Sequence, residues 1–126
     1  MTEMSKRERV MAAIKGEPVD RVPVSFYEHN HKAERSSDTL FPHLLEQNRK
    51  FDWDFIKIQC RASCYGEAWG CEYRWDPERG PILKDYIIKN ADDLKKIKRL
   101  NPAEGVFGDQ IRVVKLLGKA LKGSTP

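Results

Sequence analysis

Two short stretches of the chain gather side chains able to bind a metal, move a proton or grip an anion. One is Glu28-His29-Asn30-His31-Lys32 and the other is Cys60-Arg61-Ala62-Ser63-Cys64. His29-x-His31 and Cys60-x3-Cys64 carry the ligand types that zinc prefers, so His29, His31, Cys60 and Cys64 are candidate metal residues. Their spacing matches no standard zinc signature. The same residues are also explained as polar loop histidines and as cysteines packed like small apolar groups. Three cysteines, Cys60, Cys64 and Cys71, cannot all pair within one chain, which fits reduced thiols. His43 falls on a helix flank and reads as solvated, and Trp53, Trp69 and Trp75 read as packing.

The elements that must position these stretches are punctuated clearly. Ser5-x-x-Glu8 is a capping box opening a helix over Ser5 to Lys15, with Gly16 as its left-handed end and Pro18 blocking continuation. Val22–Tyr27 has strand character, with Pro23 near the strand start. Asp38 is a good N-cap for a helix through about Lys50, with Pro42 tolerated in its first turns. Phe55–Gln59 is a second short strand. Cys71 to Trp75 and Ile82 to Ile88 form a predicted hairpin around the turn Asp76-Pro-Glu-Arg-Gly-Pro81. Asn90 caps a helix over Ala91 to Arg99. The last helix, about Val106 to Leu121, places Ile111, Val114, Leu117 and Leu121 on one face.

Composition narrows the classes of function. The chain has 126 residues, the size of one domain. It lacks the roughly 18-residue apolar run of a membrane span. Met1 to Arg9 leads into a charged helix and not into the apolar core of a secretion signal, so a cytoplasmic location is expected. Net charge is +4, from 23 basic and 19 acidic residues. Its main basic cluster, Lys95, Lys96, Lys98 and Arg99, lies beside Asp92 and Asp93 and reads as a solvated helix end, so no nucleic-acid partner is expected.

Strand, helix, strand and further helices argue an α/β class with a hairpin inserted. The first strand, the following helix and the Phe55 strand make one βαβ unit, whose strands should be parallel and its crossover right-handed. Two parallel strands do not finish a parallel sheet, which is covered on both faces and built from several crossovers. The expectation is the beginning of a longer fold.

Ser5-Lys-Arg-Glu-Arg-Val-Met-Ala-Ala-Ile-Lys-Gly-Glu-Pro-Val-Asp-Arg-Val-Pro-Val24 closely resembles the opening of the uroporphyrinogen decarboxylase family. Phe51-Asp-Trp-Asp-Phe-Ile-Lys-Ile58, Glu67-Ala-Trp-Gly70, Gly80-Pro81 and Ile87-Ile-Lys-Asn-Ala-Asp-Asp-Leu94 match in order. The superfamily includes methyltransferases that pass methyl groups between corrinoid proteins, coenzyme M and similar thiols. The resemblance implies a (β/α)8 barrel, which takes about 250 residues. Residues 1–126 would then be its N-terminal part, with the hairpin as an insertion.

Barrel active sites sit at strand C-terminal ends, which makes His29, His31, Lys32 and Arg61 the candidate substrate-binding residues. The resemblance also implies where the family's own chemistry should appear, and the sequence departs from it there. Decarboxylases carry two arginines after the first strand to meet substrate carboxylates; those places fall on Glu28 and Lys32. Glu28 has the wrong sign, and Lys32 lacks the planar fork of arginine. Their catalytic aspartate falls at or near Arg61, and an arginine cannot accept pyrrole N–H bonds.

The resemblance thus implies an enzyme of decarboxylase (lyase) or methyltransferase type, with corrinoid-linked methyl transfer favoured over porphyrin metabolism. Its partners would be a small molecule or a corrinoid protein. Any zinc would belong to the longer parent, whose ligands come mainly from later parts of the barrel. A different class of reading is a truncated or split half-barrel, inactive alone, that docks its complementary half or associates with itself.

Overall fold

The computed structural model describes residues 2–126. Its helices are α1 (Lys6–Lys15), α2 (Ser37–Phe51), α3 (Cys64–Ala68) and α4 (Gly105–Leu121), joined by short 3-10 turns at Ala33–Arg35 and Ala91–Lys96. Strands β1 (Glu72–Asp76) and β2 (Gly80–Asp85) form one antiparallel hairpin. The class is α/β.

The punctuation of α1 is as expected. Ser5 accepts from the Glu8 N–H while Glu8 reaches back to the Ser5 N–H, and Gly16 ends the helix at φ +71°. Asp76 Oδ1 accepts from the Glu78 and Arg79 N–H groups, so a side chain folds the hairpin turn. The ladder starts closer to that turn than expected, at Asp76 opposite Gly80. Gly80 holds φ +80°, and a Cβ there would lie 2.7 Å from the His31 ring, so the turn closes directly over a site histidine.

Helix α2 begins two residues earlier than the Asp38 cap implies. Ser36 is the cap residue, and the Ser37 N–H is taken by the Asp109 carboxylate of α4 at 2.9 Å. Asp38 instead pairs with Arg112 on the surface. The segment after Asn90 keeps its capping box but is a 3-10 turn that stops at Lys96, because it buries no residue that could hold a longer helix.

The core lies where α2 packs on α4: Ala33, Leu40, Val113 and Leu117, flanked by Phe41, Leu44, Leu45, Ile56, Ile58 and Leu121. Helix α4 keeps Leu117 and Leu121 of the expected stripe on the core, but its first half is turned by one residue. Gln110, Val113 and Leu117 face inward, whereas Ile111 and Val114 are exposed. The Gln110 side chain occupies a position that an apolar count passes over.

The two expected parallel strands are not formed as a ladder among the described residues. Segment 22–27 receives one backbone bond, from Asp54 N–H to the Val24 carbonyl, and the Val24 N–H goes to the Asp54 carboxylate. Pro23 has no N–H to offer. Within segment 55–59, the Ile56 N–H bonds the Pro126 carbonyl. Each segment finds single partners where a ladder needs a run of them, so neither registers as a strand.

Candidate functional site

The segment before α2 and the turn before α3 bring two polar clusters together beneath the hairpin. In the first, His29 Nδ1 lies 2.8 and 3.0 Å from the two Glu34 carboxylate oxygens. Glu34 is 1% exposed, so the 3-10 turn at Ala33–Arg35 has buried a carboxylate whose partner is this histidine. The His29 ring stacks on His31 at 5.9 Å, and His31 meets Trp75 edge-on at 6.3 Å. The buried Nδ1 of His31 has no protein partner. A carboxylate behind one imidazole nitrogen fixes the orientation of the ring.

The second cluster centres on Arg61. Its Nε donates to both Glu67 oxygens at 3.1 Å, Nη2 donates to Glu67 as well, and Nη1 donates to the Arg35 carbonyl at 3.0 Å. Ser63 Oγ also donates to Glu67. Burial pushes the Glu67 carboxyl upward, but the hydrogen bonds and charge of Arg61 with the Ser63 hydroxyl outweigh it, leaving Glu67 below its ordinary range. Glu67 is therefore an ionised anchor that holds Arg61 in place.

Arg35, Arg61, Glu67, Tyr73 and Trp75 enclose a cavity of about 300 Å³. Trp75 is the wall that joins the clusters, touching His31 on one side and lining the Arg61 cavity on the other. Lys32 is exposed and precedes the 3-10 turn. His43 is half-buried and lines a separate groove, where a fully solvated position was expected.

The histidines and cysteines do not assemble into a metal centre. Among the described residues no three His, Cys, Asp or Glu side chains are grouped to hold an ion. His29 is committed to Glu34, and Cys64 is 1% exposed. Burial first, and then the hydrogen-bonded neighbour Cys60, push the Cys64 thiol up to about 11, away from the thiolate a metal would need. Among the described residues, these side chains are therefore not pre-assembled as a zinc site.

A third constellation lies apart from these. Arg9, 3% exposed, clamps Asp20 through two bonds of 2.7 Å and reaches Asp54 at 2.6 Å. Asp54, 1% exposed, also accepts two bonds from Arg21 and one from the Val24 N–H. Asp20 and Arg21, adjacent in sequence, therefore serve different partners. This network ties α1 to the starts of both non-helical segments and has the character of a structural clamp.

Sequence reasoning missed Glu34, Arg35 and Tyr73 as contributors to the site. The Arg35 signal was its place just past the histidines, and that of Tyr73 was a strand position two residues before Trp75.

With this geometry in place, comparison with known proteins is decisive. The family described as Uroporphyrinogen decarboxylase (URO-D) matches residues 5–126. The chain belongs to the uroporphyrinogen decarboxylase family. Within it, the chain is 24% identical over 133 residues to the methylcobamide:CoM methyltransferase MtbA of Methanosarcina mazei, a match covering 94% of the chain and 39% of that protein. The same enzyme of Methanosarcina acetivorans is 23% identical, with equal coverage. A solved structure of a methyltransferase from Methanosarcina mazei superposes with a TM-score of 0.70 at 20% identity, covering 98% of the chain and 41% of that protein. This family member spans about two fifths of the length of the relatives it matches, and over that part it shares the fold of the solved methyltransferase. No helix among the described residues is long and apolar enough to cross a membrane.

Proposed function

We propose that residues 5–126 are the N-terminal part of a (β/α)8 barrel whose activity is methyl transfer from a corrinoid to a thiol. The hairpin β1–β2 is then an insertion that walls the substrate mouth. The observation that carries this reading is Arg61, held by Glu67 and the Arg35 carbonyl, at or near the position where the family resemblance puts the decarboxylases' catalytic aspartate. Pyrrole N–H groups require acceptors. Arg61 offers only donors, and the Glu67 oxygens are already bonded by Arg61 and Ser63. The similarity to methylcobamide:CoM methyltransferases supports the same direction.

His29, His31, Lys32 and Arg61 are the residues of this chain assigned to the substrate side. Among them, His29 is oriented by Glu34, whose carboxylate lies 2.8 Å from its Nδ1. Arg61 and Lys32 supply positive charge for an anionic substrate or a corrinoid protein. A cytoplasmic location goes with this reading.

Purified chain incubated with uroporphyrinogen is expected to yield no coproporphyrinogen above a no-protein control. Accumulation of coproporphyrinogen, measured by chromatography after oxidation to the porphyrin, would overturn the assignment against decarboxylation.

A further inference from the structure

Cys60 and Cys64 stand next to each other. Both are free thiols, as is Cys71, and the Cys60 and Cys64 side chains are hydrogen-bonded. The turn between them makes this contact. The Cys64 N–H donates to the Arg61 carbonyl at 2.9 Å, so residues 61–64 close a tight turn that carries the chain from the Phe55 segment into α3. Cys71 is tied down past the other end of α3, where its N–H donates to the Gly66 carbonyl. Two thiols within hydrogen-bond reach need only a small shift of their sulfur atoms to close to the ~2.05 Å of a disulfide.

The two thiols differ in access. Cys60 is half-buried, whereas Cys64 is 1% exposed, so an oxidant in solvent meets Cys60 first. Burial and then Cys60 hold Cys64 protonated, with Arg61 acting the other way, so Cys64 stays a thiol until its neighbour has reacted. A reachable cysteine with a second thiol held beside it is the arrangement that redox-sensing pairs use. The same turn carries Arg61 and Ser63, whose side chains both donate to Glu67. Closing the turn covalently would therefore stiffen the seat of the Arg61–Glu67 pair.

We propose that Cys60 and Cys64 are a reversible dithiol–disulfide pair, oxidised by hydrogen peroxide, that sets how rigidly Arg61 is held. In the first step the Cys60 sulfur, as thiolate, attacks one peroxide oxygen. The S–O bond forms, the O–O bond breaks, and the departing hydroxide takes up the proton that Cys60 shed and leaves as water. In the second step the Cys64 sulfur attacks the Cys60 sulfenic acid. The S–S bond forms, the S–O bond breaks, and the departing hydroxide takes the Cys64 proton as a second water. Two thiols have lost two electrons to one peroxide, and a small dithiol returns them by thiol–disulfide exchange. No step uses a corrinoid or an acceptor thiol, so the pair stands apart from the methyl-transfer reading.

Treating the 126-residue chain with a small molar excess of hydrogen peroxide tests this. Free thiols counted in denaturant should fall from three to one, the intact mass should drop by two hydrogens, and dithiothreitol should restore both. Peptide mapping should join Cys60 to Cys64, and Cys71→Ser should oxidise as the wild type does. Cys60→Ser should form no disulfide, and Cys64→Ala should stop at a sulfenic acid on Cys60 that dimedone traps. Amide hydrogen exchange over residues 61–68 should slow several-fold in the oxidised chain. Three thiols left intact, over-oxidation of Cys60 with Cys64 untouched, or a disulfide through Cys71 or between two chains would overturn the pairing. Unchanged exchange over 61–68 in a chain that does form the disulfide would overturn its link to Arg61.

Discussion

Asp54→Asn is expected to destabilise the chain by about 3–5 kcal/mol, the cost of removing one partner from a buried ion pair. The value should fall toward the lower end, because Asp20 still neutralises Arg9 in the variant. Asp54 is the shared acceptor of Arg9, Arg21 and the Val24 N–H, so one oxygen-to-nitrogen change turns several charge-assisted bonds into weaker ones at once. Urea unfolding followed by circular dichroism measures the loss. A variant within about 1 kcal/mol of wild type would show that the clamp is dispensable.

The same network predicts an acid response with a definite sign. Burial pushes Asp54 upward, but the bonds from Arg21, Val24 and Arg9 outweigh it and hold the carboxyl at about 2. Asp20 is depressed too, chiefly by its bonds from Arg9. A carboxylate depressed on folding contributes stability that is complete above its unfolded pKa of about 3.9 and is lost as pH falls through the folded value. Wild type should therefore weaken steeply between about pH 4 and pH 2, and Asp54→Asn less steeply over that window.

The chain on its own is expected to self-associate. Val22 and Phe26 are 74% and 70% exposed, and with Val24, Tyr27 and Phe51 they form an apolar face beside a groove of about 730 Å³ against α2. Most backbone groups of segment 22–27 have no ladder partner, and unpaired backbone of this kind templates pairing with another chain. Net charge of +4 opposes association only within a Debye length of about 8 Å at physiological salt. Sedimentation at micromolar concentration should show oligomers, and Phe26→Lys should shift the distribution toward monomer. A wild-type chain that is a compact monomer with cooperative unfolding would contradict the open-face account.

Part of the local punctuation was readable in the sequence. Ser5 with Glu8, Gly16, and the Asp76 turn act through neighbours a few residues away, so their types state their roles. What depended on distant partners was not readable. The start of α2 is decided by Asp109, 72 residues away, and the burial of Asp54 by Arg9, 45 residues away. The inward face of α4 includes Gln110, so apolar periodicity alone rotates it by one residue. Strand character at 22–27 and 55–59 is a property of side chains, whereas a strand is a property of paired backbones.

The site shows the same division. Arg61 stood out through its departure from an acidic position, and His29 through its spacing to His31. Nothing in its neighbours marked Glu34, which the 3-10 turn buries behind His29. Arg35 and Tyr73 come from separate elements and meet only because the hairpin folds back over the histidines.

The central claim is that this chain is the N-terminal part of a methyl-transferring barrel. Its most direct test is a chimera in which residues 5–126 replace the matching segment of the Methanosarcina mazei methyltransferase, assayed for demethylation of methylcobalamin with coenzyme M as acceptor. The account predicts thiol-dependent demethylation that yields the methyl thioether. A chimera that unfolds cooperatively, and so is folded, yet leaves methylcobalamin intact under conditions where the parent enzyme consumes it would contradict the account.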